Sequence, residues 1–287
     1  MTIDEYFVSL RKSRKLSQGE LCKGLCSVAQ YCRFERGQII LDKIIIDRLL
    51  ERLGKNPSGL EFIGNDAEYQ FELLQEKINS SIINEDFSEA DNLLCKYEKL
   101  PLNKDINLHI QYICEKRAEI NYIENNVSQT ELYAFKALKC TKINIDKSSY
   151  VVLSILEFNA LFFLSAIRMD GFEIMKKLNK YINDRSCKNE NISKFSVKIK
   201  YYMAQYYHEH ARDNLALAYL DSAKDFLRQE FITEDLFKVL QLSRQIQGDK
   251  FNEDDILTAA WLLSNYYQND GFTEEILKKW ESMLSQK

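Results

Sequence analysis

Hydrophobic positions recur every three or four residues along most of the chain, which is the spacing of one face of an α-helix. In the first such stretch, Ile3, Phe7 and Leu10 form an apolar stripe that predicts a helix ending in a basic run. Further along, large apolar residues alternate with lysine and glutamate at the same spacings. Because only 2 prolines and 9 glycines interrupt the 287 residues, the pattern predicts an all-α protein.

Capping residues divide the N-terminal part into short helices. Ser17, followed three residues later by Glu20, forms a capping box that opens a second helix of about two turns, which Gly24 ends. Ser27 opens a third helix, and Gly37 follows it where a left-handed C-cap is needed. Two short helices joined by a tight turn form a helix-turn-helix, whose second helix fits a DNA major groove about 12 Å wide.

A fourth helix over residues 42–53 and a fifth that begins at the Asn56-Pro57 cap complete a predicted five-helix bundle, residues 1–64. This segment holds 11 Lys and Arg against 8 Asp and Glu, a net charge of +3. The remaining chain holds 28 against 35, a net charge of −7. Such an asymmetry is expected when only one end of a protein meets a polyanion such as DNA.

Three cysteines, Cys22, Cys26 and Cys32, lie close together in this bundle. A zinc site needs paired short spacings or a nearby fourth ligand, and neither occurs before His109. We therefore expect Cys22 to fill space as a buried thiol, with redox sensing by a cysteine pair as the alternative. Seven cysteines in a long chain without an apolar leader or membrane span suit a reducing cytoplasm.

The stretch LSQGELCKGLCSVAQYCRFERG, followed by LLERLG, resembles the Cro/repressor-type helix-turn-helix. Its short GLCS junction is similar to that of the Rgg/PlcR class of peptide-sensing regulators of Gram-positive bacteria. The resemblance covers residues 3–63, and it departs from the common pattern at Cys32 and at residues 39–41.

This resemblance implies a set of DNA-binding residues: Gln18, Ser27, Val28, Ala29, Gln30, Arg33, Arg36 and Gln38. Within the set, Val28 and Ala29 offer apolar contact to a thymine methyl group, and Arg33 can donate two hydrogen bonds to guanine. The resemblance assigns the others to backbone phosphate.

From residue 65 to residue 287 the pattern predicts helices in pairs, with units of about 35 to 45 residues, close to the tetratricopeptide period of about 34. Alanines are expected where paired helices approach closely, at Ala90, Ala137, Ala218 and Ala223. Because a single pair cannot bury its own apolar face, the pairs are expected to stack into a solenoid with a concave wall. This domain would bind a ligand and form the dimer.

A concave helical wall suits an extended or helical peptide, and an asparagine on an otherwise apolar inner helix can bond both the C=O and the N–H of a peptide. Asn159 stands out because it lies in the most apolar run of the chain, although it could instead bond a neighbouring helix or a buried water. The full set of peptide-binding candidates is Asn121, Asn159, Tyr201, Tyr202, Gln205, Arg244 and Asn265.

These features predict a homodimeric transcription regulator that binds a palindromic DNA site and responds to a short signalling peptide, as in the quorum-sensing regulators that it resembles. No cofactor or metal is expected. An enzyme is not expected, because the chain has three histidines, no glycine-rich phosphate loop and no nucleophile motif. The alternatives are a regulator whose repeats bind a protein partner and a non-enzymatic scaffold.

Overall fold

A computed structural model of the chain describes residues 2–57, 66–100, 106–145, 152–183, 195–230, 233–266 and 271–285. These residues form 15 α-helices and one short 3₁₀ helix, with no strand among them, so the predicted all-α class is confirmed. The chain divides into two compact units, residues 1–193 and 194–287. The predicted domain boundary at residue 64 lies outside the described ranges and stays a prediction.

The first unit begins with four short helices: α1 Ile3–Ser13, α2 Gln18–Cys22, α3 Val28–Glu35 and α4 Lys43–Arg52. The predicted caps are confirmed, because the hydroxyl of Ser17 accepts from the N–H of Glu20 at 3.1 Å and that of Ser27 accepts from the N–H of Gln30 at 3.1 Å. The fifth helix, predicted after the Asn56-Pro57 cap, lies outside the described residues.

Aromatic side chains form the centre of this bundle. Phe7 of α1 and Phe34 of α3 are buried with their rings 5.2 Å apart in an edge-to-face contact, and Tyr31 is buried beside them. Each such side chain contributes about 1.5–3 kcal/mol when it leaves water. Gly37 takes a φ of +66°, as its predicted C-cap role requires. One face of α3 is thus held by the core.

Six longer helices follow in the first unit: α5 Asp66–Ile83, α6 Phe87–Glu98, α7 Ile106–Ile123, α8 Val127–Cys140, α9 Ile155–Ile167 and α10 Gly171–Asn183. They pack as consecutive hairpins, α5 with α6, α7 with α8 and α9 with α10. The first helix of one hairpin also packs on the first helix of the next, as α7 does on α9.

The turns inside the hairpins repeat the same backbone geometry. Glu85, Asn125 and Ala211 each take a left-handed φ, of +59°, +59° and +56°. In each turn, the next residue donates its N–H to the carbonyl five residues earlier, at 2.9, 2.8 and 2.8 Å. This is the hydrogen bond of a Schellman C-cap. The degenerate sequence repeats therefore share one turn structure across both units.

The second unit contains α11 Phe195–Glu209, α12 Asp213–Glu230, α13 Thr233–Gln247, a 3₁₀ turn Gly248–Lys250, α14 Glu253–Tyr266 and α15 Gly271–Leu284. Ala223 is fully buried as predicted, but the prediction for Ala218 is wrong: Ala218 is exposed and Ala216 is buried in its place. Two residues rotate a side chain by about 200° around a helix, to the opposite face. Within the described ranges, no helix is long and apolar enough to cross a membrane.

Candidate functional site

The outer face of α3, together with the residues that cap its two ends, carries most of the predicted DNA-binding residues. Val28 is 51 % exposed, and Ala29 and Arg33 are also exposed, whereas Tyr31 and Phe34 on the opposite face are buried. In total, seven of the eight predicted residues are exposed: Ser27, Val28, Ala29, Gln30, Arg33, Arg36 and Gln38. The face that the helix presents to solvent therefore combines apolar, amide and cationic groups.

A capping box holds the start of this helix. The carbonyl oxygen of the Gln30 side chain accepts from the N–H of Ser27 at 3.0 Å and from its hydroxyl at 2.9 Å. In return, the Ser27 hydroxyl accepts from the N–H of Gln30. These reciprocal bonds satisfy two backbone donors at the helix N-terminus. The first turn of α3 is consequently well fixed.

Gln18, the eighth predicted residue, bonds within the bundle. Its Nε2 donates to Glu35 Oε2 at 2.6 Å, and Arg11 Nε donates to Glu35 Oε1 at 2.6 Å. Burial alone would raise the pKa of Glu35, but the hydrogen bonds from Arg11 and Gln18 lower it. Glu35 therefore links α1, α2 and α3 beneath the exposed face. A Gln18 amide still has a second N–H for phosphate.

The same bundle carries exposed cations. Within the first four helices and their connections they are Lys12, Lys15, Lys23, Arg33 and Arg36. Arg11 belongs to the same basic run in the sequence, but its guanidinium is held by Glu35 and by the carbonyl of Leu16 at 2.8 Å. The free positive charge thus lies on the solvent side of the bundle.

A buried ion pair joins this bundle to the helical repeats of the same unit. Arg52, at the end of α4, is 2 % exposed and Glu157, in the first turn of α9, is 0 % exposed; Arg52 Nη2 lies 2.6 Å from Glu157 Oε1. Arg52 Nη1 also donates to the carbonyls of Leu21 and Lys23, at 2.8 and 2.7 Å. Burial would raise the pKa of Glu157, but the charge of Arg52 lowers it.

Two further contacts complete this junction. Glu51 Oε2 accepts from the N–H of Ile155, in α9, at 3.0 Å. Gly24, in the turn between α2 and α3, has a φ of +76°, and a Cβ placed on it would lie 2.2 Å from the carbonyl oxygen of Thr141 at the end of α8. The helix-turn-helix turn therefore lies directly against the repeats.

The sequence interpretation missed Arg52 and Glu157 as a pair. A signal was present, because Glu157 is a carboxylate inside the most apolar run of the chain, and a buried charge needs a partner. Its partner lies 105 positions earlier, so no local spacing could identify it.

Asn159 bonds a neighbouring helix, which was the alternative to peptide binding. It is 8 % exposed, and its Nδ2 donates to Oε1 of Glu115 on α7 at 2.6 Å. Asn159 Oδ1 has no hydrogen-bond partner among the described residues, whereas Glu115 Oε2 lies 3.4 Å from Lys116 Nζ in an ion pair. Burial raises the pKa of Glu115. The pair is held together but is only half satisfied.

Asn121 lies on another side of α7. Its Nδ2 donates to the carbonyl of Arg117 in its own helix at 2.8 Å, and it lines a polar cavity of about 460 Å³ with residues of α6 and α8. Asn121 follows Glu115 by six residues, which is about 240° around a helix. The structure thus does not bring Asn121 and Asn159 to one wall.

The other five peptide-binding candidates belong to the second unit. Tyr201 packs on the core of that unit with its ring 5.9 Å from the ring of Tyr202. Gln205 is half-buried on the same helix, and Arg244 forms an ion pair with Glu275 of α15. The side chain of Asn265 lies outside the described residues. Within their unit, Tyr201 and Arg244 have packing or charge partners of their own.

No family model and no curated protein matches this sequence. Among solved structures, the chain is similar to Bacillus thuringiensis PlcR, which was crystallised in complex with the peptide PapR7 and DNA. The TM-score is 0.51 at 14 % sequence identity, and the match covers 97 % of each chain. The chain therefore has a PlcR-like fold, which confirms the fold that the helix-turn-helix resemblance and the helical pairs predicted.

Proposed function

We propose that this protein is a sequence-specific DNA-binding transcription regulator, controlled by a short peptide that binds its helical repeats. One observation carries the proposal: six of the eight residues predicted to contact DNA lie on the exposed face of α3 or cap its two ends, while the opposite face of this helix is buried. The PlcR-like fold supports it, because PlcR was solved with both a peptide and DNA.

The α3 face has the chemistry to distinguish base pairs. Arg33 can donate two hydrogen bonds to one guanine, which contributes about 1–3 kcal/mol of discrimination, and Val28 and Ala29 can contact thymine methyl groups. Ser27, Gln30, Arg36 and Gln38, with Gln18 behind them, would then bind phosphate and fix the register.

The modest charge of the bundle favours binding by two copies on one site. A net charge of +3 over residues 1–64 gives one bundle few phosphate contacts, and non-specific affinity depends on their number. We therefore propose a cytoplasmic homodimer that places two copies of α3 in successive major grooves of a palindromic operator.

The junction offers a path from ligand to DNA. Arg52 holds the end of α2 and the start of α9 at once, and Gly24 lies on the end of α8. A ligand that displaces α8 or α9 would displace the helix-turn-helix with them. Such a ligand changes DNA affinity only as far as it prefers one arrangement, typically by about 1–3 kcal/mol.

The half-satisfied contact of Asn159 is the proposed ligand contact in the first unit. Its Oδ1 is a buried acceptor without a hydrogen-bond partner among the described residues, which costs about 1–3 kcal/mol. A peptide can supply the N–H donor that this oxygen lacks. Because Asn159 and Glu157 lie on the same helix, a donor bound here would act on the helix that holds Arg52. Asn121 and, in the second unit, Tyr201, Tyr202, Gln205, Arg244 and Asn265 remain candidates for the rest of the peptide.

The proposal is tested by two experiments on the full chain. Selection from a random pool of duplexes should enrich a palindromic sequence, and mass spectrometry of purified protein should show a retained peptide that changes its affinity for that duplex. Enrichment of no sequence would contradict the regulator. Retention of a protein in place of a peptide would favour the alternative in which the repeats bind a protein partner.

A further inference from the structure

Two cysteines flank the turn that leads into α3. Cys22 ends α2, and Cys26 directly precedes the Ser27 cap. The N–H of Cys26 donates to the carbonyl of Cys22 at 3.2 Å, and their thiols share a hydrogen bond. The chain reverses between them in a tight turn, with Lys23 at a ψ of 119° and Gly24 at a φ of +76°, and the N–H of Leu25 also donates to the Cys22 carbonyl at 2.9 Å. Two thiols within hydrogen-bond reach across such a turn can approach the Cβ separation of about 3.5–4.5 Å that a disulfide needs.

The two thiols differ in access and in charge environment. Cys22 is fully buried, whereas Cys26 is partly exposed. The hydrogen bond from Cys26 lowers the pKa of Cys22, against the effect of burial, and the guanidinium of Arg52 lowers it further. Redox-sensing pairs place an accessible thiol, which meets the oxidant, next to a resolving thiol; here Cys26 has the access, and the lowered pKa of Cys22 favours the thiolate that resolves it.

Other cysteines lack this environment. Burial raises the pKa of Cys114, and it raises that of Cys140 to about 11. Cys32 is partly exposed within α3, Cys95 is exposed on α6, and Cys187 lies outside the described residues. The contrast singles out the turn of the helix-turn-helix within the part of the chain that the structure describes.

We propose that Cys22 and Cys26 are a modification site, which a peroxide converts to a reversible disulfide. The Cys26 sulfur, after losing its proton, attacks one oxygen of hydrogen peroxide; the O–O bond breaks, leaving a sulfenic acid and water. The Cys22 thiolate then attacks the Cys26 sulfur, and the S–O bond breaks with release of hydroxide, which takes up a proton. Two thiols and one peroxide thus give a disulfide and two waters, and a thiol reductant reverses the oxidation.

Oxidation is expected to weaken DNA binding. This effect on DNA rests on the proposed function, but formation of the disulfide does not depend on it. The new bond draws Cys26 toward α2. Since Cys26 is adjacent to Ser27, the capping box at the start of α3 is displaced with it. We expect affinity for the selected duplex to fall about tenfold, within the usual range of coupling between sites.

The Cys22–Cys26 disulfide can be detected directly in the full chain. Hydrogen peroxide treatment, alkylation and trypsin cleavage after Lys23 separate Cys22, in residues 16–23, from Cys26, in residues 24–33. A disulfide joins these two peptides with the loss of two hydrogens. Because residues 24–33 also contain Cys32, the assay uses a Cys32→Ser background, in which only Cys22–Cys26 can give this product.

The expected result is the joined peptide in Cys32→Ser, its loss in Cys26→Ser/Cys32→Ser, and its persistence in Cys95→Ser/Cys32→Ser. Circular dichroism melting checks that each variant folds. Oxidation of Cys26 to sulfinic acid without linkage, or an unmodified Cys26, would overturn the proposal.

The DNA consequence has its own readout. Fluorescence anisotropy with the selected duplex should show weaker binding after oxidation, recovery with dithiothreitol, and no response in Cys26→Ser. A disulfide that leaves affinity unchanged would overturn the regulatory consequence. If no duplex can be selected, the proposed function fails, while the peptide linkage still decides whether the disulfide forms.

Discussion

The outer face of α3 and the junction around Arg52 use the same kinds of side chain in opposite surroundings. On α3, Arg33 and Arg36 project into solvent, where water and salt screen their charge. At the junction, Arg52 and Glu157 are both buried and bond each other and the backbone. The first arrangement leaves cations available to a partner. In the second arrangement, the charge of Arg52 is neutralised by Glu157, and the pair holds the bundle and the repeats of one unit together.

This difference has energetic consequences that can be measured separately. An exposed cation can be removed with little effect on folding, because the protein does not depend on it. A buried charge that loses its partner remains in a poor environment, and the cost falls on stability. Substitutions in the two regions should therefore affect different observables.

The largest expected effect is on the junction. Arg52→Ala leaves Glu157 buried without its cation and frees two carbonyls at the end of α2, so the free energy of unfolding should fall by about 3–5 kcal/mol. Urea denaturation followed by circular dichroism measures it. The control Lys176→Ala removes a cation paired with Glu173 on the surface and should cost about 0–1 kcal/mol.

A double variant separates lost charge from lost packing. Arg52→Met with Glu157→Leu removes both charges and fills similar volume, so the part of the loss that comes from an unpaired buried charge should return, while the part that comes from the Leu21 and Lys23 carbonyls and from the Ser154 cap should remain. Equal destabilisation in the single and double variants would show that the ion pair is not what holds this junction.

The second effect concerns a buried histidine and pH. His109 Nδ1 lies 2.8 Å from the Tyr97 hydroxyl, and burial, followed by the charge of Arg48, lowers the pKa of His109 from 6.5 to about 4. The unfolded chain then binds a proton that the folded chain does not, so stability falls as pH decreases from 6.5 toward 4. The loss reaches about 3 kcal/mol.

His109→Gln tests this dependence, because glutamine does not titrate. The difference in unfolding free energy between the native chain and His109→Gln should shrink between pH 7 and pH 5 by urea denaturation. A difference that stays constant over this range would mean that His109 titrates normally in the folded protein.

The third effect concerns Asn159. Asn159→Ala removes the donor to the buried Glu115 carboxylate, which should lower the free energy of unfolding by about 1.5–3 kcal/mol and weaken peptide binding. Asn121→Ala is the control, since Asn121 bonds only a carbonyl of its own helix among the contacts described, and should change stability by less than about 0.5 kcal/mol. Unchanged stability in Asn159→Ala would rule out the structural role of the amide.

The smallest expected effect concerns the outer face of α3, and it is a change in the free energy of DNA binding. Arg33→Ala should cost about 1–3 kcal/mol of affinity for the selected duplex while non-specific binding and thermal stability stay unchanged. Arg36→Ala should instead weaken binding to all duplexes and reduce the salt slope by about 1. Anisotropy titrations over several salt concentrations distinguish them. Identical behaviour of the two variants would contradict the assigned roles.

The features predicted correctly from the sequence are those that depend on neighbours along the chain. Ser17 and Ser27 were identified as caps because capping chemistry involves residues only three apart. The outer face of α3 was identified because helical spacing separates Tyr31 and Phe34 from the residues between them. Each step needed only local geometry.

The features that were missed depend on which helix lies opposite. The sequence shows an amide in an apolar run at Asn159, but it does not show that Glu115 on α7 is the partner of this amide. Arg52 and Glu157 are separated by more than a hundred residues, so only the packed structure pairs them. The prediction for Ala218 was wrong for a related reason, because a shift of two residues along a helix moves a side chain to the opposite face.

The most direct test of the account asks which surface touches DNA. A photo-crosslinking phenylalanine analogue is placed at Val28, which is 51 % exposed on α3, and in a control protein at Leu132, which is exposed on α8. The account predicts adducts from position 28 on bases of both half-sites of the selected duplex, and none from position 132. Adducts from position 132 with none from position 28 would contradict it.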